Sequence, residues 1–334
     1  MTKIDIFNPQ ISKVSKGLEG KAVLIYGDNS TGKTLQATRM EKPYYIGFEM
    51  GIRAISGIPF LPVNSWVDFK RINAQLTDPK TLDKAKELYQ TLIFDEVFAS
   101  ALLCQQWICR TNGASHMGEQ APPGENRPNL WTAYQAEYFS EISKLLKSGY
   151  TLIFIGHQAK DRDTGQIIPK GDVRSMEVIR DNADITAYLT SNGIDDNGKV
   201  IKSSAHFAQT PEYFARSRYD YMDTYLEEFT AEGLERIIAE GIEKEEKVSG
   251  IKAVSFEEQQ ESITSDELDY DALQKEINEV GMQIAQAGYL DELVEIVEKR
   301  LGRGVKVTDA KKTEVEALAV ILLEVKALAG VLLS

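Results

Sequence analysis

Two cysteines and three histidines in 334 residues leave little room for sulfur or imidazole metal chemistry. Cys104 and Cys109 sit in the apolar stretch LLCQQWIC. Five positions apart on a helix they would not face each other, so they read as core thiols of a reducing compartment, not as a disulfide or metal pair. The histidines are scattered, and no zinc motif appears. No apolar run is long enough to span a bilayer, and the opening Met1-Thr2-Lys3-Ile4-Asp5 does not read as a signal peptide. A cytoplasmic protein is expected, with no membrane partner. Positive charge is also short. The net charge is −13, and residues 231–334 hold 12 basic against 23 acidic side chains. That acidic tail is a poor nucleic-acid surface, whereas residues 1–230 are near balance and can still present a basic groove.

What is present is a chain 43% hydrophobic, enough for a substantial core in one large domain plus a smaller one. Its organising stretch is AVLIYGDNSTGKT. Ala22 to Tyr26 is a short run of strand formers. Gly27-Asp28-Asn29-Ser30-Thr31-Gly32-Lys33-Thr34 is a full G-x-x-x-x-G-K-[ST] match. Such a loop turns successive backbone N–H groups inward as a nest for phosphate oxygens. Gly32 lets the backbone pass close to them, and a helix beginning near Lys33 aims its positive end at them. Lys33 reaches the β and γ phosphates, and the Thr34 hydroxyl is a ligand for Mg²⁺. ATP and Mg²⁺ are the expected cofactors.

Downstream, Lys33 to Met40 reads as a short helix and Tyr44 to Phe48 as a strand with Glu49 at its carboxyl end, where ligands bind in open α/β sheets. Ile58 to Val63 reads as a short strand, and Val67–Leu76 and Leu82–Tyr89 as helices. Thr91-Leu92-Ile93-Phe94 then runs into Asp95-Glu96. An apolar strand ending in an acid, after a phosphate loop, is the second nucleotide signal: Asp95 orients water on Mg²⁺. Glu96 and Glu49 compete for the role of base on the attacking water. Ala99–Arg110 and Trp131–Leu146 read as helices, the latter with Tyr134, Tyr138, Ile142 and Leu145 at helical spacing. Tyr150–Ile155 is a buried strand ending in His157 and Gln158, where a γ-phosphate sensor would sit.

Two polar stretches are read as long loops, 111–130 and 159–180, a length that usually signals function. Arg127, Lys160, Arg162, Lys170 and Arg174 in them are candidate contacts to a phosphate backbone; a mixed, solvated loop is the alternative. Asp184–Thr190 and Lys199–Phe207 read as a hairpin, with Asn197-Gly198 as a tight turn. Arg216 and Arg218 are candidates to reach a nucleotide, their own or a neighbouring subunit's. A capped helix begins near Phe229 and runs to Ile242. The expected domains are 1–242, an ATP-binding core with a short extension in which Phe7, Pro9 and Ile11 pack on the sheet edge; 243–267, an acidic linker; and 268–334, a helical module.

The order of these features resembles the RecA superfamily. The resemblance implies a three-layer α/β core, with Glu49 of IGFEMG as first choice for the base and His157 or Gln158 as sensor. It also places two DNA-binding loops at 111–130 and 159–180. YGDNSTGKT, LIFDEV, the histidine-bearing sensor strand, NADITAYLT and ARSRYDYM are more closely similar to compact phage RecA-like ATPases with an AAA-type ATP-binding domain, a group linked to single-strand annealing recombination. The large N-terminal helix and strand that link RecA filaments have no counterpart in residues 1–20. The resemblance covers about residues 18–235. It implies a slow, DNA-stimulated ATPase that self-associates and binds single-stranded DNA in an ATP-dependent way, with Arg216 or Arg218 completing a site between subunits. The helical module has no counterpart in that group; dimerisation, docking on a single-strand-binding or other replication protein, and simple capping are all open for it. Two other classes stay open: a nucleotide-gated adaptor or loader whose partner is a protein, and a small-molecule kinase.

Overall fold

The computed structural model describes residues 7, 9, 11–49, 51–124, 126–263, 268–311 and 314–332. Two compact units divide the chain, residues 10–262 and residues 263–334 with 1–9.

The first unit is a three-layer α/β domain, as expected. Its elements in chain order are β1 (Ala22–Gly27), α1 (Lys33–Ala37), β2 (Pro43–Gly47), β3 (Phe60–Pro62), α2 (Trp66–Thr77), α3 (Leu82–Leu88), β4 (Thr91–Asp95), α4 (Val97–Thr111), α5 (Leu130–Lys147), β5 (Thr151–Lys160), β6 (Ile167–Pro169), α6 (Val173–Asn182), β7 (Ile185–Thr190), β8 (Ser204–His206), β9 (Arg216–Ser217), β10 (Tyr225–Leu226), α7 (Ala231–Ser249) and α8 (Phe256–Ile263). The sheet order is β10-β8-β7-β1-β5-β4-β2-β3, with β6 on β5 and β9 on β7. From β7 to β3 the neighbours are parallel; β6, β8, β9 and β10 pair antiparallel.

Strand alternation divides the core between the two faces of the sheet. Leu24, Ile46, Leu92, Phe94, Leu152 and Phe154 pack with α2, α4, α5 and α6. Val23, Ile25, Tyr45, Ile93, Ile153 and Ile185 face the other way, against Leu234, Ile237 and Ile238 of α7. Both faces being covered is why these strands read as continuous apolar runs. β5 lies between β1 and β4. The phosphate loop and the acid-bearing strand end are therefore one strand apart, and the end of β5 stands between them.

Three expectations need correction. The stretch 159–180 is not a loop. β5 continues through Lys160, and its last three residues pair only with β6, as Gln158↔Pro169, Ala159↔Ile168 and Lys160↔Ile167. These strands form an arm rising from the sheet, followed by α6, which Asp172 caps at the Arg174 amide, 3.0 Å. Polar, Gly-containing sequence had masked a hairpin whose pairing is supplied by a neighbouring strand.

Residues 243–263 are not a linker either. α7 runs on to Ser249 and ends at Gly250, whose φ of +72° is a left-handed cap. Val254 then bridges to Ser15, and Ala253, Val254 and Phe256 are buried. A few apolar anchors hold a mostly acidic segment. Residues 264–267 of the expected linker lie outside the described residues. Third, Ile11, expected to pack on the sheet edge, is exposed, as are Phe7 and Pro9.

In the second unit, α9 (Tyr270–Gln286), α10 (Leu290–Leu301) and α11 (Val315–Leu332) enclose a core of their own around Leu273, Ile277, Ile284, Leu318, Ile321 and Val325. Among the described residues no helix is long and apolar enough to cross a membrane.

Candidate active site

The loop leaves β1 at Gly27. A Cβ there would lie 2.5 Å from the Leu189 carbonyl oxygen, so glycine is what lets β1 end alongside β7. Ser30 at φ +61° and Gly32 at φ +81° are left-handed, the alternation that turns amides into a concave nest. Asp28, Asn29 and Ser30 are exposed. Lys33 is buried beneath them. Its Nζ donates to the Gly27 carbonyl at 3.1 Å and the Asp28 carbonyl at 2.6 Å. Burial lowers its pKa to about 8, opposed by the charges of Asp95, Asp28 and Glu96. A phosphate group would reverse that penalty by giving the ammonium an anion.

Across the crevice the Thr34 hydroxyl donates to Asp95 Oδ2 at 2.7 Å. Asp95 is buried at the end of β4, and burial raises its pKa despite the Thr34 and Tyr45 hydroxyls. A hydroxyl and a dehydrated carboxylate in contact are hard oxygen donors. They fit Mg²⁺, which takes one or two protein groups and completes its shell with phosphate oxygens and water. Among the described residues no group of three or more His, Cys, Asp or Glu could hold a metal.

Glu49 and Glu96 are both at the strand ends but differ in freedom. The Glu49 amide donates to the Asp95 carbonyl at 3.0 Å, which anchors the residue past the end of β2, and it is exposed. Glu96 is buried and spends one carboxylate oxygen on the Ala99 amide at 3.2 Å, capping α4. Its other oxygen, Oε1, is buried without a hydrogen-bond partner among the described residues. Burial, then the charge of Glu49, pushes its pKa up to about 7.

β5 brings His157 level with Gly27. Burial lowers the His157 pKa, helped by Lys33 and Lys170 and opposed by Glu49 and Asp95, so the imidazole lies within the field of the whole site. Gln158 Oε1 is buried and has no hydrogen-bond partner among the described residues.

Other sequence candidates are elsewhere. Arg218 pairs with Asp184 at 3.3 Å. Asp184 in turn accepts from the Ala22 amide at 2.8 Å, at the amino end of the strands. Arg216 stands opposite Thr186 near that same end. Neither reaches the phosphate loop of its own chain, because antiparallel β9 returns to the wrong end of the sheet. Arg127 is largely buried against Glu119, 3.2 Å, and Arg174 lies over the Trp131 ring, 5.4 Å from its centroid. Lys160 and Arg162 are exposed at the end of the arm. Lys170, at the foot of the arm, had been grouped with them, yet its charge acts on Glu96 and His157. Nothing in the local sequence distinguishes it; only the return of β6 brings it there.

Residues 19–219 match the AAA domain family. The chain is also 50% identical, over 97% of its length and 98% of the relative's, to the SPbeta prophage-derived uncharacterized protein YorG of Bacillus subtilis strain 168. The chain belongs to the AAA domain family of P-loop ATPases.

Proposed function

We propose that this member of the AAA domain family hydrolyses ATP and uses the nucleotide state to switch its grip on single-stranded DNA, in phage recombination or annealing. The observation that carries the reading is the continuity of β5. One strand runs from His157, level with Gly27, to Lys160 on the arm. A change at the γ-phosphate has a rigid path to an arm tip where Lys160 and Arg162 alternate with Asp161 and Asp163.

In this reading the loop amides and Lys33 bind the β and γ phosphates, while Thr34 and Asp95 hold Mg²⁺. Bound there, Mg²⁺ would neutralise charge on the phosphate oxygens. Glu49 orients a water and takes its proton. The water oxygen bonds to the γ phosphorus as the bond to the β–γ bridging oxygen breaks, and ADP leaves with that electron pair. The exposure of Glu49 favours it over Glu96, which is tied to α4. His157 or Gln158 reads the γ-phosphate. An arginine from a neighbouring copy would add about 10³–10⁵ in rate, and Arg216 is the freer candidate because Arg218 is paired with Asp184.

The test is binding of a fluorescent single-stranded oligonucleotide with ATP, with ADP and with Lys33→Ala, alongside phosphate release. Tight ATP-dependent binding that Lys33→Ala removes, with stimulated hydrolysis, is expected. Binding should weaken with salt, and removing Lys160 and Arg162 together should lessen the log–log slope by about 1.4, at about 0.7 per phosphate contact. Nucleotide binding with no DNA affinity in any state overturns the reading. It would favour an adaptor or loader acting on a protein, for which the exposed Met282, Leu290 and Val294 of the helical unit offer a surface.

A further inference from the structure

We infer that Lys170 is a second catalytic cation, supplied by the same chain, that contacts the γ-phosphoryl group during hydrolysis. The inference rests on the ATPase reading above and adds to it a residue that the sequence had assigned to DNA.

The position of Lys170 is built. Its amide donates to the His157 carbonyl at 2.8 Å, which pins it to the carboxyl end of β5, beside the loop-bearing β1. Pro169 before it is buried and paired opposite Gln158. Gly171 after it has φ +143°, and a Cβ there would stand 2.8 Å from the Phe98 ring and 2.6 Å from Met176 Cγ. The backbone at 171 is thus pressed against the first turn of α4, two residues from Glu96. A residue held between β5 and the start of α4 is part of the site wall, not of a free loop.

Its side chain is nevertheless exposed and, among the described residues, makes no hydrogen bond or ion pair. The field of its charge disfavours a charged His157. Lys33 is the other cation acting on that imidazole. Phosphoryl transfer spreads negative charge over the γ oxygens, and catalysis there is mainly placement of positive charge. Lys33 serves this from the loop and Lys170 from the foot of the arm. No bond forms to Lys170 and no proton leaves it; it acts by charge alone. Because it sits where the arm joins the sheet, a displaced arm would also displace this cation.

The experiment uses the full chain without DNA and then with it. ATP and ADP affinities are measured with fluorescent analogues, and hydrolysis under single-turnover conditions, for wild type, Lys170→Ala and Lys170→Arg. Lys170→Ala should keep ADP affinity within about threefold, lose most of the preference for ATP over ADP, and hydrolyse about 10²–10³-fold more slowly, the usual loss on removing one stabilising group. Lys170→Arg should recover part of the rate. Thermal melting checks folding, which an exposed side chain should not disturb. If Lys170→Ala hydrolyses and discriminates as wild type does, the inference fails while the ATPase reading stands. A wild-type chain that hydrolyses no ATP, with or without DNA, overturns both.

Discussion

The Thr34 hydroxyl and Asp95 Oδ2 meet at 2.7 Å although 61 positions separate them in the chain. Each is at the carboxyl side of the sheet, one on the helix that follows β1 and the other at the end of β4, with the tip of β5 between. Two motifs read separately in the sequence become one pocket through this contact.

Removing either partner should separate magnesium use from nucleotide binding. Thr34→Val and Asp95→Asn are expected to lower Mg²⁺-dependent phosphate release by about 10²–10³-fold, with loss of the magnesium dependence of ATP affinity. Binding titrations with and without Mg²⁺ check this; an unchanged dependence would remove the pair from the metal site.

The Lys33 pKa, lowered to about 8 by burial, predicts a pH dependence of binding. Phosphate favours the charged ammonium, so the complex binds more protons than the free protein above pH 8. Affinity should be flat below about pH 8 and fall above it, by up to about tenfold per pH unit. Lys33→Ala should abolish this slope along with most of the affinity. The same group contributes to folding with a definite sign. A lysine with a depressed folded pKa carries a cost that is full below pH 8 and relieved as pH rises towards its unfolded value.

Glu49→Gln and Glu96→Gln should differ. Glu49→Gln is expected to abolish turnover while leaving ATP affinity and melting temperature unchanged, since Glu49 is exposed. Glu96 caps α4, so Glu96→Ala should cost about 1 kcal/mol of stability, read by denaturant titration. Equal effects of the two on turnover with no effect of Glu96→Ala on stability would reverse the assignment.

Phe256 packs against Gly20 and beneath the Lys86 ammonium, 5.7 Å from its ring centroid. Phe256→Ala should cost about 3–5 kcal/mol if its cavity does not collapse. It should also release residues 250–262 to rapid amide exchange or proteolysis. No change in either would mean that this segment is only loosely held.

How much of this was legible in the chain depended on the range of the forces involved. The phosphate loop, the strand ending in Asp95 and the outline of the core helices were readable because they depend on local periodicity and on a motif whose chemistry is contiguous. Lys33, Thr34 and Asp95 needed no long-range pairing to be singled out as candidates. The arm at 158–169 was not readable, since β6 has three residues and its stability comes from pairing with β5. The segment around Phe256 failed for the same reason: few apolar residues, each buried by a surface far away in sequence.

The sequence by itself determined the fold class and the nucleotide loop, because alternating apolar strands and the Gly-x-x-x-x-Gly-Lys-Thr spacing admit few other solutions. Only the tertiary structure decided which charges share the site. It sent Arg218 to Asp184 at the opposite end of the sheet, committed one oxygen of Glu96 to α4, and brought Lys170 to the foot of the arm beside His157. Charge and exposure at a site are set by which strands are neighbours. Strand order is a long-range choice made by packing both faces of the sheet, and no local stretch of chain encodes it.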